Sequence, residues 1–185
     1  VFALYNVQRE GATRSFEVTE FTASQRAYEY LPATFTVKLK NNGNTLVQPK
    51  GNIFIQRGSN DATPLAVLPL NPNGGYIIPG TSRSIESQWT DGFPVRSQVE
   101  GSEKTTVVWD WNNGSKLRFG RYTAKLVAIY DDGQRDIPIQ AEVTFWVIPW
   151  KLIAGILLIA ILMLVGVISI IRTAKRKVST KKPKA

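Results

Sequence analysis

Histidine and cysteine are both absent from the 185 residues. Without imidazole the chain has no Ser-His-Asp arrangement, lacks the commonest general base, and cannot build an imidazole metal site. Without thiols it has no disulfide, no thiolate nucleophile and no thiolate metal ligand. Carboxylate pairs and Ser-Lys dyads remain as catalytic designs, and neither occurs at a recognisable spacing. Asp131, Asp132 and Asp136 flank Gly133, but calcium loops need a defined series of oxygen ligands that this spacing does not supply. They read as a solvated hairpin turn, as do Glu100 and Glu103 beside Gly101. Ser82 and Ser84 flank Arg83 with no lysine in register. The sequence therefore predicts no catalytic residue, no metal site and no cofactor, and a protein that is not an enzyme.

What is present is distributed unevenly. Leu152 to Ile171 is a run of twenty residues without a charge. At about 1.5 Å per residue a helix of that length covers about 30 Å, the hydrocarbon thickness of a bilayer. The formal net charge is +9, yet it is concentrated after this run. Arg172, Lys175, Arg176, Lys177, Lys181, Lys182 and Lys184 follow with no acid among them. Residues 1–150 carry fifteen basic side chains against all fourteen acidic ones, a net of +1. The basic balance thus describes the tail. A cationic cluster bordering an apolar helix is the positive-inside pattern, and it also suits anionic headgroups. Nucleic acid is not an expected partner, since no aromatic residue interrupts the tail to stack on bases.

These features predict a plasma-membrane protein with a single span, its tail cytoplasmic and residues 1–147 extracytoplasmic. Residues 148–151 form the join, 152–171 the transmembrane helix and 172–185 the tail. Trp146, Trp150 and Lys151 on one side, with Arg172, Lys175, Arg176 and Lys177 on the other, are the expected membrane-interface residues. The short join, stiffened by Pro149, predicts a domain held near the lipid bilayer. Val1 to Val7 alternates like a strand already under way. The arrangement needs an export signal upstream, so either a signal peptide has been removed or this is the C-terminal piece of a longer protein, and the strand-like start favours the second.

The outer region predicts an all-β fold. Phe35, Val37 and Leu39 alternate with Thr34, Thr36, Lys38 and Lys40 over Ala33 to Lys40. Further strands are expected at Phe2–Val7, Ser15–Phe21, Gly51–Arg57, Ser84–Trp89, Thr105–Trp111, Tyr122–Tyr130 and Ile139–Phe145. Asn41-Asn42-Gly43-Asn44, Asn73-Gly74-Gly75, Pro79-Gly80, Asn113-Gly114 and Asp131-Asp132-Gly133 carry turn chemistry, where Asn and Gly accept positive φ. Short alternating strands with frequent turns predict an immunoglobulin-like β-sandwich followed by one transmembrane helix, with a barrel as the competing architecture. Trp89, Trp109 and Trp111 are an imaginable sugar-stacking platform, but aromatics on strand faces more often pack in a core, and that is the expectation here. Missing disulfides in an exported domain of this size favour a bacterial source.

Local wording adds a resemblance. Phe35-Thr36-Val37-Lys38-Leu39-Lys40-Asn41-Asn42-Gly43-Asn44 with Pro49-Lys50-Gly51-Asn52-Ile53 resembles a strand–turn–strand of bacterial surface immunoglobulin-like domains. Ile78-Pro79-Gly80-Thr81-Ser82-Arg83 and Gly120-Arg121-Tyr122-Thr123-Ala124 look like later strands of that group. The ending Phe145-Trp146-Val147-Ile148-Pro149-Trp150-Lys151-Leu152 is similar to the membrane-proximal part of WxL-interacting surface proteins. This implies a multidomain, membrane-anchored protein that engages cell-wall polymer or other surface proteins; no ligand-binding residue follows from it. The expected function is therefore a non-enzymatic stalk or interaction module in adhesion or envelope organisation. The alternative is the membrane mount of a surface hydrolase or processing enzyme whose catalytic domain lies upstream.

Overall fold

The computed structural model describes residues 10–58, 63–98, 101–102, 104–132 and 135–179, without the side chains of Asp131 and residues 173–179. The expected strand at Phe2–Val7, and Glu100, Glu103 and Gly133 in the expected turns, lie outside them. The chain is mainly β with one C-terminal helix, and it divides into two units, residues 1–148 and 149–185.

The first unit holds ten strands among the described residues: β1 (Phe16–Ala23), β2 (Ala27–Tyr28), β3 (Ala33–Asn41), β4 (Lys50–Arg57), β5 (Ala66–Pro69), β6 (Ser82–Trp89), β7 (Val95–Gln98), β8 (Thr105–Val108), β9 (Gly120–Asp131) and β10 (Asp136–Val147). They form a sheet ordered β1-β3-β6, a larger one ordered β2-β10-β9-β4-β5, and the small pair β7-β8. All pairings are antiparallel except β2 with β10.

The period of two explains the core. Ala33, Phe35, Val37 and Leu39 of β3 are fully buried, while Lys38 and Lys40 face out. Ile53 and Ile55 of β4, Ala124, Leu126 and Ala128 of β9, and Phe145 and Val147 of β10 complete one cluster that both larger sheets share. Phe35 and Phe145 meet edge-to-face at 5.2 Å, and Trp89 of β6 lies 5.2 Å from Tyr122. Such aromatic pairs add specificity of geometry to the area they bury.

Two glycines are required by close approach. A Cβ on Gly43 would run into the Thr13 carbonyl oxygen, and one on Gly51 into that of Val127 on β9. The expectation that Asn and Gly of the 41–44 turn adopt positive φ is corrected here, since among the described residues no non-glycine residue has positive φ and Gly43 does not either. Packing selects Gly43, whereas Gly74 (φ 62°) and Gly80 (φ 71°) do use the left-handed region.

Two further expectations need correction. The strand expected over Thr105–Trp111 ends at Val108, and the Asn113-Gly114 hairpin is instead a short 3-10 helix over Trp111–Lys116. Asp110 caps it: Oδ1 accepts from the Asn112 backbone N–H at 3.1 Å and Oδ2 from Asn113 Nδ2 at 2.7 Å. The cap offers the backbone a helical start that competes with strand extension. Strands β2, β5 and β7 carry no sequence signal strong enough to predict them.

The second unit is α1 (Trp150–Ser179), thirty residues long.

Candidate membrane interface

The stretch Trp150–Arg172 of α1 is long and apolar enough to cross a membrane. Its 23 residues span about 35 Å as a helix. None of it is buried inside the protein, so its leucines and isoleucines have no protein core to serve. The residues expected at the interface sit at its ends or just before it. Trp146 lies on β10, half-exposed, paired in register with Arg121 of β9. Trp150 opens α1, with the Lys151 ammonium 5.3 Å from its ring centroid. Arg172 is the last residue of the apolar stretch, and Lys175, Arg176 and Lys177 follow within the same helix. β10 ends at Val147, so Ile148 and Pro149 alone connect strand to helix.

A second feature departs from the sequence expectation. Trp89 packs in the core as expected, with no exposure, but Trp109 and Trp111 do not: they are 44% and 76% exposed. Their rings stack at 6.0 Å with 26° between planes, and Phe93 braces both at 5.7 and 5.3 Å. Tyr30 meets Trp109 at 6.5 Å. The alternation that suggests core packing fails because the strand stops before Trp109. The Asp110 cap is the available signal, since Asp two residues before Asn112-Asn113-Gly114 favours a cap or turn over strand continuation.

Near these rings one carboxylate is shared by two cations. Asp91 takes Lys116 Nζ at 2.8 Å on one oxygen and Arg118 at 2.7 Å on the other. Arg118 Nε also donates to the Asp91 carbonyl at 2.9 Å, and its guanidinium lies 5.6 Å from the centroid of the Trp89 ring. The Lys116 hydrogen bond first, and then that of Arg118, holds the Asp91 carboxyl below its usual 3.8, outweighing the opposing effect of burial.

The remaining candidates are modest. An open cleft of about 460 Å³ runs past Tyr30, Arg96, Gln98 and Thr105, with Arg96 paired to Glu29 at 2.8 Å. Another of about 430 Å³ is lined by Arg14, Tyr76, Tyr130 and Asp136. Asp132 serves its turn: its Oδ1 accepts from Arg135 N at 2.8 Å. Among the described residues no cluster of three His, Cys, Asp or Glu side chains is placed to hold a metal ion.

No protein-family model and no curated protein matches this chain. Among solved structures, the β-glucosidase from Listeria innocua in complex with glucose is similar over 74% of this chain and 17% of its own, at 8% identity and a TM-score of 0.34. The Se-Met labelled β-glucosidase from Kluyveromyces marxianus is similar over 74% and 15%, at 9% identity and a TM-score of 0.32. This chain spans less than a fifth of either enzyme, and likeness at that level assigns neither fold nor chemistry.

Proposed function

We propose that this chain is a non-enzymatic, single-pass cell-surface protein, bacterial in type, whose β-domain is an immunoglobulin-like sandwich. It serves as a membrane-proximal stalk or interaction module in adhesion or envelope organisation, engaging cell-wall polymer or other surface proteins. The observation that carries the reading is α1, an uncovered apolar helix whose last turns become basic from Arg172. By the positive-inside rule that end stays in the cytoplasm and the β-domain lies outside.

Strand order supports the immunoglobulin-like assignment. β1-β3-β6 corresponds to strands A, B and E of that fold, and β10-β9-β4 to G, F and C, with β5 as an added edge. Tyr122 near the start of β9 supports it independently. Its hydroxyl accepts from the Phe119 N–H at 3.1 Å and donates to the Phe119 carbonyl at 3.4 Å, the hydrogen-bonding habit of a tyrosine corner. Ala124 stands two residues on, where antibody domains carry their second cysteine. Phe35, Trp89, Tyr122 and Phe145 form one aromatic cluster in the core that the two larger sheets share.

Reporter fusions at the two ends test topology: the reading requires an extracytoplasmic amino end and a cytoplasmic carboxyl end, and the reverse sinks it. Binding of the purified protein to peptidoglycan and to envelope proteins tests the module. Binding to neither removes the interaction role and leaves a spacer.

A further inference from the structure

The geometry points to a second membrane contact, built into the β-domain itself: the exposed aromatic end around Trp111 seats in the headgroup layer of the bilayer that α1 crosses. This rests on the anchored reading above.

The placement follows from strand register. β6 ends at Trp89 beside Ala33, and β9 begins at Gly120 beside Val147. The described residues between them, 90–98, 101–102 and 104–119, therefore lie at the same end of the β-domain from which β10 leaves. That end exposes Trp109, Trp111, Leu117 and Phe119, the last 50% exposed, and the chain exits through partly exposed Ile148. The opposite end, some 26 Å away along the nine residues of β3, is closed by the polar Asn41–Asn44 turn. That opposite end also exposes Tyr76 and Ile78, but the stacked indoles lie where the covalent tether begins, and the tether is two residues long.

Composition identifies the occupant. Stacked indoles with a wet edge and an apolar face are the side chains that settle between headgroups and acyl chains. Two acids border the plate: Asp91 is held by Lys116 and Arg118, and Asp110 spends its carboxylate on the Asn112 N–H and the Asn113 amide. A soluble partner would have to compete with a bilayer kept at high effective concentration by the short tether. A free glycan is disfavoured for the same reason, although the two indoles offer it a stacking face.

The chain has no cysteine, so single labels are unambiguous. The full chain in phosphatidylcholine nanodiscs carries one fluorophore at a time, through Asn112→Cys, Ser82→Cys or Leu162→Cys. The expected result has three parts. The Leu162 label is quenched by nitroxides deep in the acyl chains, the Asn112 label by nitroxides at headgroup level with loss of iodide quenching, and the Ser82 label stays open to iodide. Adding Trp111→Ser and Phe119→Ser to the Asn112→Cys chain restores its iodide quenching to the Ser82 level and leaves the Leu162 depth unchanged. An Asn112 label as open to iodide as the Ser82 label, with Leu162 deep, overturns the inference and spares the anchor. So does protection of the Asn112 label only when soluble cell-wall glycan is added, which makes the plate a sugar platform. A Leu162 label open to iodide removes the anchor reading and this one together.

Discussion

Two Asn-Gly segments sit at opposite ends of the β-domain and do opposite things. At one end Asn41 is wholly buried. Its Nδ2 donates to the carbonyls of Thr45 (2.7 Å) and Ile77 (2.9 Å), and its Oδ1 accepts from Gly43 N–H. At the other end Asn113 sits in a short 3-10 helix that buries no residue and carries the exposed Trp111. The same Asn-Asn-Gly tripeptide, 41–43 and 112–114, closes one end of the domain from within and holds an apolar plate outward at the other. What differs is the flank: Asn41 terminates a strand of buried alternate residues, whereas Asn113 follows Asp110, whose carboxylate begins a helical turn.

The sharpest way to break this contrast is Asn41→Leu. The substitution removes three hydrogen bonds, each worth about 0.5–1.5 kcal/mol. It takes the side-chain donor from the Thr45 carbonyl, whereas the Ile77 carbonyl keeps Val47 N–H and Gly43 N–H keeps the Ser15 carbonyl. A loss of about 3 kcal/mol is expected in urea unfolding of the full chain in detergent; a loss under about 1 kcal/mol would mean that water already satisfies those groups. Next in size is a matched pair. Gly43→Ala drives a methyl into the Thr13 backbone and is expected to cost about 1–3 kcal/mol. Gly114→Ala meets nothing within 4 Å and has no positive φ to strain, so it is expected to be neutral or to stabilise by about 0.5 kcal/mol. Equal effects at the two glycines would erase the distinction between the ends.

Acid supplies a smaller effect confined to the aromatic end. The Asp91 carboxyl titrates below its usual 3.8 because Lys116 and Arg118 hold its charged form. A depressed carboxylate contributes stability that is complete above the unfolded value and disappears as pH falls through the folded one. The stability difference between the native chain and Asp91→Asn should therefore be constant above about pH 5 and shrink below pH 3.8. A difference that persists unchanged at pH 2 would assign the role of Asp91 to its shape rather than its charge.

Legibility in the sequence follows burial. β3, β4, β6, β9 and β10 are readable because one face of each meets the core, so that a period of two is written into Phe35-Val37-Leu39 and Ile139 to Phe145. The short strands β2, β5 and β7 pair at edges and in the cap with few buried side chains, and leave no period to read. The apolar helix is plain because twenty consecutive uncharged residues match the thickness of a bilayer and exceed what a core this small could cover. Trp109 and Trp111 mislead for the complementary reason. Spacing at every second residue looks like a strand face, and only the Asp110 cap distinguishes a strand that has already stopped.

The smallest expected effect bears most directly on why the plate exists. Trp111 is 76% exposed and touches only Trp109 and Phe93 among the ring contacts of the described residues. Trp111→Ala should therefore cost under about 1 kcal/mol in urea unfolding, the worth of an exposed aromatic pair. Trp89→Ala, buried against Tyr122 and Phe145, should cost about 3–5 kcal/mol by the same measurement. A cost that small leaves the indole available for the contact proposed above. Should Trp111→Ala instead destabilise as much as Trp89→Ala, the plate would be structural, and the contrast between a closed polar end and an outward-facing aromatic end would collapse into two ways of finishing the same core.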